Sequence, residues 1–239
     1  MSQEIRGISS MATRQVLAEL VAGYGRLAPG TAVNIESVGG VDAAKRVQAG
    51  EPFDVVILAS DAIDKLIAGG HLRVGSRVDL VRSGVAVAVQ QGAALPDLSS
   101  EASVREAVLA ARSISYSTGP SGVALARLFE RWGIAEQIAP RMVQAPPGVP
   151  VGSLVARGEV ELGFQQLSEL LHVPGITVVG ALPPSIQIVT TFSAGVPVAT
   201  GQADAVAAML DFMASPQADE AKRRQGMEPA SQNHTQENA

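Results

Sequence analysis

The feature that most constrains the fold is an early, repeated succession of strand and helix. A first strand ends near residue 10, a second covers residues 32–38 and a third covers residues 54–59, and helical periodicity follows each of them. After Asp54 the third strand is a continuous apolar run, which is typical of a parallel strand covered on both faces. Short strands alternating with helices predict a parallel sheet with helices packed on it.

The ends of these strands indicate where a ligand would bind. In open α/β sheets, ligands bind beyond the carboxyl ends of the strands. Small or hydroxylated residues stand at these ends, each just before a helix: Ser9, Ser10, Gly39, Gly40 and Ser60. The first N–H groups of a helix have no acceptor within it and favour anions. The pattern predicts an anion site with the Ser10 hydroxyl and the Met11 N–H among its donors.

A second interpretation of the same residues is purely structural. Ser9 or Ser10 would then cap the helix that follows, and Ser60 with Asp61 would cap the third helix. Both interpretations stay open at the level of sequence.

The strand–helix pattern returns after residue 110. A long β-prone run over residues 78–89 comes first, and strands are then predicted over residues 113–117, 142–144, 160–165, 176–179 and 186–191. Helices are predicted over residues 123–132, 151–157, 203–213 and 216–225. The polar end, residues 231–239, has no apolar pattern and is predicted to be a disordered tail.

Composition excludes several classes of function. The formal net charge is −5 and no Lys/Arg-rich run occurs, so we expect no nucleic-acid partner. Without cysteine, the chain has no disulfides, thiol catalysis or Cys-ligated metal. It lacks a Walker sequence, a Gly-x-Ser-x-Gly elbow and metal-ligand spacing, so no cofactor and no metal are expected. No apolar run reaches transmembrane length.

Five motifs in fixed order resemble a known family. They are the strand–Ser-Ser–helix start, the Gly39-Gly40 helix start with Lys45-Arg46, Gly50-Glu-Pro-Phe-Asp-Val-Val-Ile57, Thr118-Gly-Pro-Ser-Gly-Val123 and Arg157-Gly-Glu-Val-Glu-Leu-Gly163. Together they resemble the type II periplasmic binding proteins, in particular the molybdate-binding proteins of ABC transporters, over residues 4–230.

The resemblance implies an α/β fold of two Rossmann-like lobes joined by a two-crossover hinge, with the ligand cleft between the lobes. The first lobe would hold residues 1–82 and 187–230, and the second residues 83–186. In this family an oxyanion is held by uncharged donors. Carried onto this chain, these would come from the hydroxyl after the first strand, from Gly39-Gly40, from Ser121-Gly122 and from the loop of Val149, Pro150 and Val151.

The chain also departs from the molybdate-binding pattern. Gly39 and Gly40 stand where molybdate binders carry a hydroxyl, and Phe164, Gln165 and Gln166 stand where they carry a tyrosine. Pro150 removes one N–H from the cage. Arg82 at the first crossover could bind a carboxylate with its planar fork. We therefore expect a small anionic ligand, an organic di- or tricarboxylate rather than molybdate, with the alternative that Arg82 serves only a structural role.

The predicted ligand-binding set combines the residues at all of these strand ends. Its members are Ser9, Ser10, Met11, Gly39, Gly40, Ser60, Arg82, Ser117, Thr118, Ser121, Gly122, Val149, Val151 and Gln165.

Two functional hypotheses follow from the resemblance. The chain is either a receptor for a carboxylate or oxyanion, or an isomerase similar to the aconitate isomerases of the divergent molybdate-binder-like branch. The isomerase hypothesis needs an acid and a base, for which Ser10, Tyr116 and Thr118 are the candidates. We expect a monomer. The chain shows no leader at its start, so the expected location is the periplasm, with an ABC transporter permease as partner, if a leader was removed, and the cytoplasm otherwise.

Overall fold

The computed structural model describes residues 3–146 and 148–230. The strands in chain order are β1 (Gln3–Ser10), β2 (Thr31–Val38), β3 (Val55–Ala59), β4 (Val78–Gln90), β5 (Ile114–Tyr116), β6 (Met142–Gln144), β7 (Leu162–Gln166), β8 (Ile176–Ala181), β9 (Val189–Gly195) and β10 (Glu228–Pro229). The tail predicted over residues 231–239 lies outside the described residues.

The α-helices complete the framework. In chain order they are α1 (Arg14–Leu27), α2 (Gly40–Gln48), α3 (Ser60–Ala68), α4 (Glu101–Ala110), α5 (Pro120–Arg131), α6 (Ala135–Ile138), α7 (Val151–Ala156), α8 (Leu167–Leu170), α9 (Ala203–Ala214) and α10 (Asp219–Arg224). Short 3₁₀ turns cover Met11–Thr13, Ala139–Arg141, Pro184–Ile186 and Pro216–Ala218. The predicted α/β class is confirmed.

The chain divides into two compact units. Unit 1 comprises the described residues up to Arg82 and those from Thr191 onward, and unit 2 is Ser83–Thr190. The boundaries fall within β4 and β9, so each of these strands contributes residues to both units. The second boundary follows Thr190, whereas the sequence places it after residue 186.

Unit 1 is built on the strand order β2-β1-β3-β9-β4. β1 pairs in parallel with β2 and with β3, as the strand–helix succession predicts, and β9 runs antiparallel to β3. All five side chains of β3 are buried. They divide between two apolar clusters: one lies against α1 and α9, and the other lies against α2 and α3. Both faces of the sheet are therefore covered at β3. Because side chains on both faces of this strand are buried, its sequence is a continuous apolar run.

Unit 2 repeats the plan with the strand order β4-β7-β5-β6. β5 is parallel to β6 and β7, and β7 is antiparallel to β4, which also pairs with β8. The main core joins β4, β5 and β7 to α4, α5 and α6. Smaller clusters pack α7 and α8 on the other face.

Two elements near the second crossover and the end of the chain differ from the sequence prediction. The strand predicted over residues 186–191 begins at Val189 and continues to Gly195, because a 3₁₀ turn over Pro184–Ile186 precedes it. Proline fixes φ near −65° and favours such a turn. The pairing of β10 with β4 was missed, since a two-residue strand carries no periodicity.

Candidate functional site

The carboxyl ends of the parallel strands of unit 1 lie at one edge of the sheet. Ser10, the last residue of β1, pairs in register with Val38, the last residue of β2, and β3 lies on the other side of β1. α2 begins two residues after β2, and α3 begins directly after β3. Starts of α2 and α3 therefore stand at the same edge as Ser10, as the sequence predicted.

Ser10 is buried yet its side chain is unused. The residue is 7% exposed, and its Oγ atom has no hydrogen-bond partner within the described part of the chain. It stands before the 3₁₀ turn Met11–Thr13 but makes no capping hydrogen bond, and its carbonyl oxygen accepts the Thr13 hydroxyl at 3.0 Å. The structure does not support the interpretation of Ser10 as a helix cap. A buried hydroxyl without a partner costs free energy, so its position calls for a functional explanation.

Ser9 is placed differently from its neighbour. Its side chain is fully buried, and its Oγ shares a hydrogen bond with Ser37 Oγ of β2 at 2.8 Å. The Ser9 hydroxyl is thus already used between two strands, and the hydroxyl available at the end of β1 is that of Ser10.

Gly39 and Gly40 bring the first turn of α2 beside Ser10. A Cβ atom added to Gly40 would lie 3.7 Å from Ser10 Cβ. Gly39 is the N-cap residue of α2, and because it has no side chain it cannot bond the free N–H groups at the start of this helix. These N–H groups and the Ser10 hydroxyl together form a set of uncharged donors suited to an anion.

Met11 and Ser60, two further predicted residues of unit 1, directly follow β1 and β3 at this edge. Met11 is half-buried in the first turn after β1. Ser60 is the first residue of α3, and the prediction that Ser60 and Asp61 cap this helix is wrong. The N-cap residue of α3 is Ala59, and no side chain makes a capping hydrogen bond to this helix in the described structure. Asp61 Oδ2 lies 3.6 Å from Lys65 Nζ instead.

Arg82 is the last residue of the first segment of unit 1. It is half-buried in β4 opposite Glu228 of β10, and its Nε atom is buried without a hydrogen-bond partner. Within residues 3–146 and 148–230 no carboxylate forms an ion pair with it, which leaves the guanidinium available to an anion.

In unit 2, β5 ends in the loop that starts α5. Ser117 Oγ and Ser121 Oγ lie 3.4 Å apart, and Ser121 is buried while Thr118 is exposed. A Cβ atom on Gly122 would lie 1.8 Å from the Ser117 carbonyl oxygen. Only glycine lets the first turn of α5 approach the strand end this closely. The structure thus brings Ser117, Ser121 and Gly122 together.

Tyr116, a predicted catalytic candidate, is placed by its packing. Its ring contacts the main core of unit 2, and its carbonyl oxygen accepts the Ala145 N–H at 2.9 Å. The Cβ position of Gly122 lies 3.1 Å from Tyr116 Cδ2, so the ring packs beside the start of α5.

The loop before α7 offers fewer donors than the sequence predicted. The Val149 N–H donates to the Pro146 carbonyl at 3.0 Å, and Pro150 has no N–H. The Gly152 N–H donates to Gln165 Oε1 at 3.4 Å. Of the two predicted backbone donors on this loop, Val149 and Val151, the N–H of Val149 is therefore already used within the loop.

The end of β7 carries a polar pair. Gln165 is 3% exposed and donates from Nε2 to Glu169 Oε1 of α8 at 2.9 Å. Gln166 donates from Nε2 to Thr190 Oγ1 at 2.8 Å, while its Oε1 is buried without a partner. Gln165 is thus held from both ends of its amide, and Gln166 from one.

Glu169 was not singled out from the sequence. Burial raises its pKa to about 7, and the hydrogen bond from Gln165 only partly opposes this effect. The sequence does contain a feature that could have pointed to Glu169. Between residues 162 and 181 the only ionisable residues are Glu169 and His172. A carboxyl group in so uncharged a stretch is poorly compensated when the stretch is buried.

Neither a metal-binding group nor a membrane span occurs among the described residues. Among them, no three His, Cys, Asp or Glu residues are grouped so as to hold a metal ion. No helix in residues 3–146 and 148–230 is long and apolar enough to cross a bilayer.

The two-unit α/β architecture is that of a type II periplasmic binding protein. Its similarity to solved structures supports this class. The periplasmic molybdate-binding protein of Azotobacter vinelandii matches with a TM-score of 0.76 and 21% identity, covering 93% of this chain and 98% of that one. The sulfate-binding protein SubI of Mycobacterium tuberculosis matches with a TM-score of 0.77 and 14% identity, covering 96% of this chain and 88% of that one.

The family is defined by sequence as well. The model of the bacterial extracellular solute-binding protein family matches residues 5–228, and the chain belongs to this family. An aconitate isomerase from Pseudomonas sp. is 41% identical over 185 residues, which is 77% of this chain and 70% of that protein.

Proposed function

We propose that this protein binds an unsaturated tricarboxylate of the aconitate class and isomerises it. Binding is supported above all by Ser10, whose hydroxyl is buried and unpartnered beside the first turn of α2. Uncharged donors of this kind suit a carboxylate, and Arg82 with its unpartnered Nε adds a positive charge. The choice of ligand class is supported by the relative that is an aconitate isomerase.

The chemistry is an allylic proton shift. A base takes a proton from the methylene carbon of the substrate, and the electron pair of that C–H bond spreads into the neighbouring double bond and carboxylates. Return of a proton to the other end of the three-carbon unit moves the double bond. No redox partner is required, because one C–H bond breaks and one forms.

A test of binding uses calorimetry with a panel of cis-aconitate, trans-aconitate, citrate, molybdate and sulfate. We expect an affinity in the millimolar to micromolar range for an aconitate, since two or three charge-assisted hydrogen bonds contribute about 1.5–3 kcal/mol net each. Arg82→Ala should weaken this binding at least tenfold, whereas Arg26→Ala on the exposed end of α1 should not. Tight binding of molybdate with none of the carboxylates would refute the proposed ligand class.

A test of isomerisation follows cis- and trans-aconitate by proton NMR in D₂O. Interconversion with deuterium incorporation is the expected result. Binding without conversion or exchange would contradict the catalytic half.

The second candidate function is a receptor for the same carboxylate without chemistry. It is favoured by the family, which is one of solute-binding proteins. An ABC transporter permease would then be the partner of an exported form. The NMR test separates the two functions, because a receptor binds the ligand and returns it unchanged.

A further inference from the structure

We propose that Glu169 exchanges a proton with the bound tricarboxylate, an inference that rests on the isomerisation proposed above. Three features of Glu169 support this role: its place in the fold, its uncharged surroundings and the state of its two oxygen atoms.

Glu169 lies at the edge of unit 2 where this type of sheet binds ligands. α8 follows β7 without an intervening residue, so Glu169 comes three residues after Gln166, the last residue of β7. Ligands of open α/β sheets bind beyond such carboxyl ends. The other predicted donors of unit 2 lie on two loops. One follows β5, which pairs with β7, and the other leads into α7, which packs on β7.

The surroundings of Glu169 contain almost no charge. α8 packs on β7 and α7, and its Leu170 packs against β4 and β8. β7, α7, β8 and residues 83–89 of β4 contain no ionisable residue. His172 is the one other ionisable residue in this stretch and makes a contact of its own. Burial is the main influence on the Glu169 carboxyl group and the hydrogen bond from Gln165 opposes it only in part, so its pKa of about 7 suits proton transfer near neutral pH.

The two carboxyl oxygens of Glu169 have different roles. Oε1 accepts the hydrogen bond from Gln165 Nε2, and Gln165 is itself held by the Gly152 N–H. Oε2 accepts no hydrogen bond from the described part of the chain and is not among its fully buried polar atoms. One oxygen is thus fixed in place, and the other is available for the proton.

Other acidic groups are committed to partners that lower their pKa. Arg46 pairs with Glu36 and Glu51, Arg112 pairs with Glu161, and Arg157 pairs with Glu159. A carboxylate held by arginine is a weak base, so it is poorly suited to remove a carbon-bound proton.

The proposed step conserves atoms and charge. Glu169 Oε2 takes the methylene proton, forming an O–H bond as the C–H bond breaks. After exchange of this O–H proton with solvent, Glu169 gives a proton to the other end of the allylic unit, where a C–H bond forms as the O–H bond breaks. Glu169 ends the cycle as a carboxylate.

The experiment compares the wild-type chain with Glu169→Gln and with Glu159→Gln, a matched control on the exposed Arg157 pair. Isomerisation rates and deuterium incorporation are measured from pH 5.5 to 8.5, and calorimetry at pH 7 in two buffers of different ionisation enthalpy measures proton uptake on binding. For E169Q we expect a loss of at least about 100-fold in kcat and an affinity within a few-fold of wild type. Its residual isomerisation rate should not change with pH near pH 7. E159Q should match wild type. If E169Q does not fold, Glu169→Asp replaces it and should lower kcat rather than raise KM.

The outcomes separate this inference from the function on which it rests. Wild-type rates and an unchanged pH profile in E169Q would overturn the role of Glu169 and leave isomerisation standing. If the wild type binds aconitate without deuterium exchange, isomerisation fails, and proton transfer by Glu169 fails with it. If exchange occurs, proton uptake on binding that disappears in E169Q supports contact between Glu169 and the ligand, and equal uptake in both forms refutes it.

Discussion

Ser9 and Ser10 are neighbours in sequence with opposite surroundings. The Ser9 hydroxyl is bonded to Ser37, and the Ser10 hydroxyl is buried and unpartnered. Because side chains alternate across a strand, adjacent residues point to opposite faces. The face on which each lies therefore decides which serine stabilises the sheet and which is free to bind a ligand.

Ser10→Ala should change ligand affinity and stability in different directions. Removing a buried hydroxyl that has no partner should leave the free energy of unfolding unchanged or slightly higher. Loss of a hydrogen bond to a charged ligand should lower affinity by about tenfold or more. Urea unfolding and calorimetry measure the two effects. Ser37→Ala is the control, since it removes the 2.8 Å hydrogen bond of Ser9 and leaves the Ser9 hydroxyl only its 3.4 Å contact with the Ser10 carbonyl oxygen. This variant should be less stable without a comparable loss of affinity. A Ser10→Ala variant of wild-type affinity would mean that this hydroxyl does not meet the ligand.

Elements of unit 2 are positioned by close approach of backbone to backbone. The start of α5 packs on the end of β5 because Gly122 has no side chain. The same turn holds Ser121 within 3.4 Å of Ser117. The donors at this strand end therefore depend on one glycine.

Gly122→Ala should destabilise unit 2 by about 1–3 kcal/mol or more, because the new Cβ atom cannot fit without moving α5. Gly119→Ala is the matched control. Its Cβ atom would meet nothing closer than Ser117 Oγ at 3.9 Å. Urea unfolding followed by the fluorescence of Trp132, the single tryptophan, reports on unit 2. Equal stability of the two variants would show that α5 can shift at little cost.

In unit 1, Asp79 links β4 to β9. Its Oδ1 atom accepts hydrogen bonds from Ser193 Oγ at 2.6 Å and from Arg77 Nε at 2.8 Å. Burial by itself would raise the pKa of Asp79, but the hydrogen bonds from Arg77 and Ser193 outweigh it and the pKa is lowered.

This pKa predicts how stability depends on pH. Because the pKa of Asp79 is lower in the folded state, the ionised group stabilises the fold above its unfolded pKa of about 4, and this contribution is lost as the pH falls through the folded pKa. Asp79→Asn should be less stable than wild type at pH 7 and should lose less stability in acid. Urea unfolding at pH 7 and pH 3, with the exposed Asp211→Asn of α9 as control, measures this. A parallel acid loss in wild type and Asp79→Asn would contradict the assignment.

At the scale of the whole molecule, each unit has its own apolar core. Unit 1 packs β1, β3 and β9 against α1 and α9, and unit 2 packs β4, β5 and β7 against α4 and α5. A ligand that binds only the folded chain stabilises it by mass action, whichever residues make the contacts.

An aconitate at 100 times its dissociation constant should stabilise the fold by about 2.7 kcal/mol. For a chain of this size, this corresponds to a rise in Tm of about 5–11 °C. Thermal unfolding with cis-aconitate, trans-aconitate, citrate and molybdate measures the shift, and the Ser10→Ala variant should show a smaller one. A shift with molybdate alone would favour an oxyanion ligand.

The sequence by itself determined the α/β class, the parallel strand–helix units, the long β4 and the family. These features can be predicted from the hydrophobic periodicity of short segments and from short sequence motifs, because both involve residues that are close together in the chain. Tertiary structure decided which polar groups have hydrogen-bond partners and which do not. The Ser10 hydroxyl has none in the described structure, whereas Ser9 bonds Ser37, the Val149 N–H is used within a turn, and Glu169 accepts a hydrogen bond from Gln165. Whether a hydroxyl or carboxyl is partnered and how far it is buried depends on residues distant in the chain. Its availability to a ligand and its pKa could therefore be read only from the folded protein.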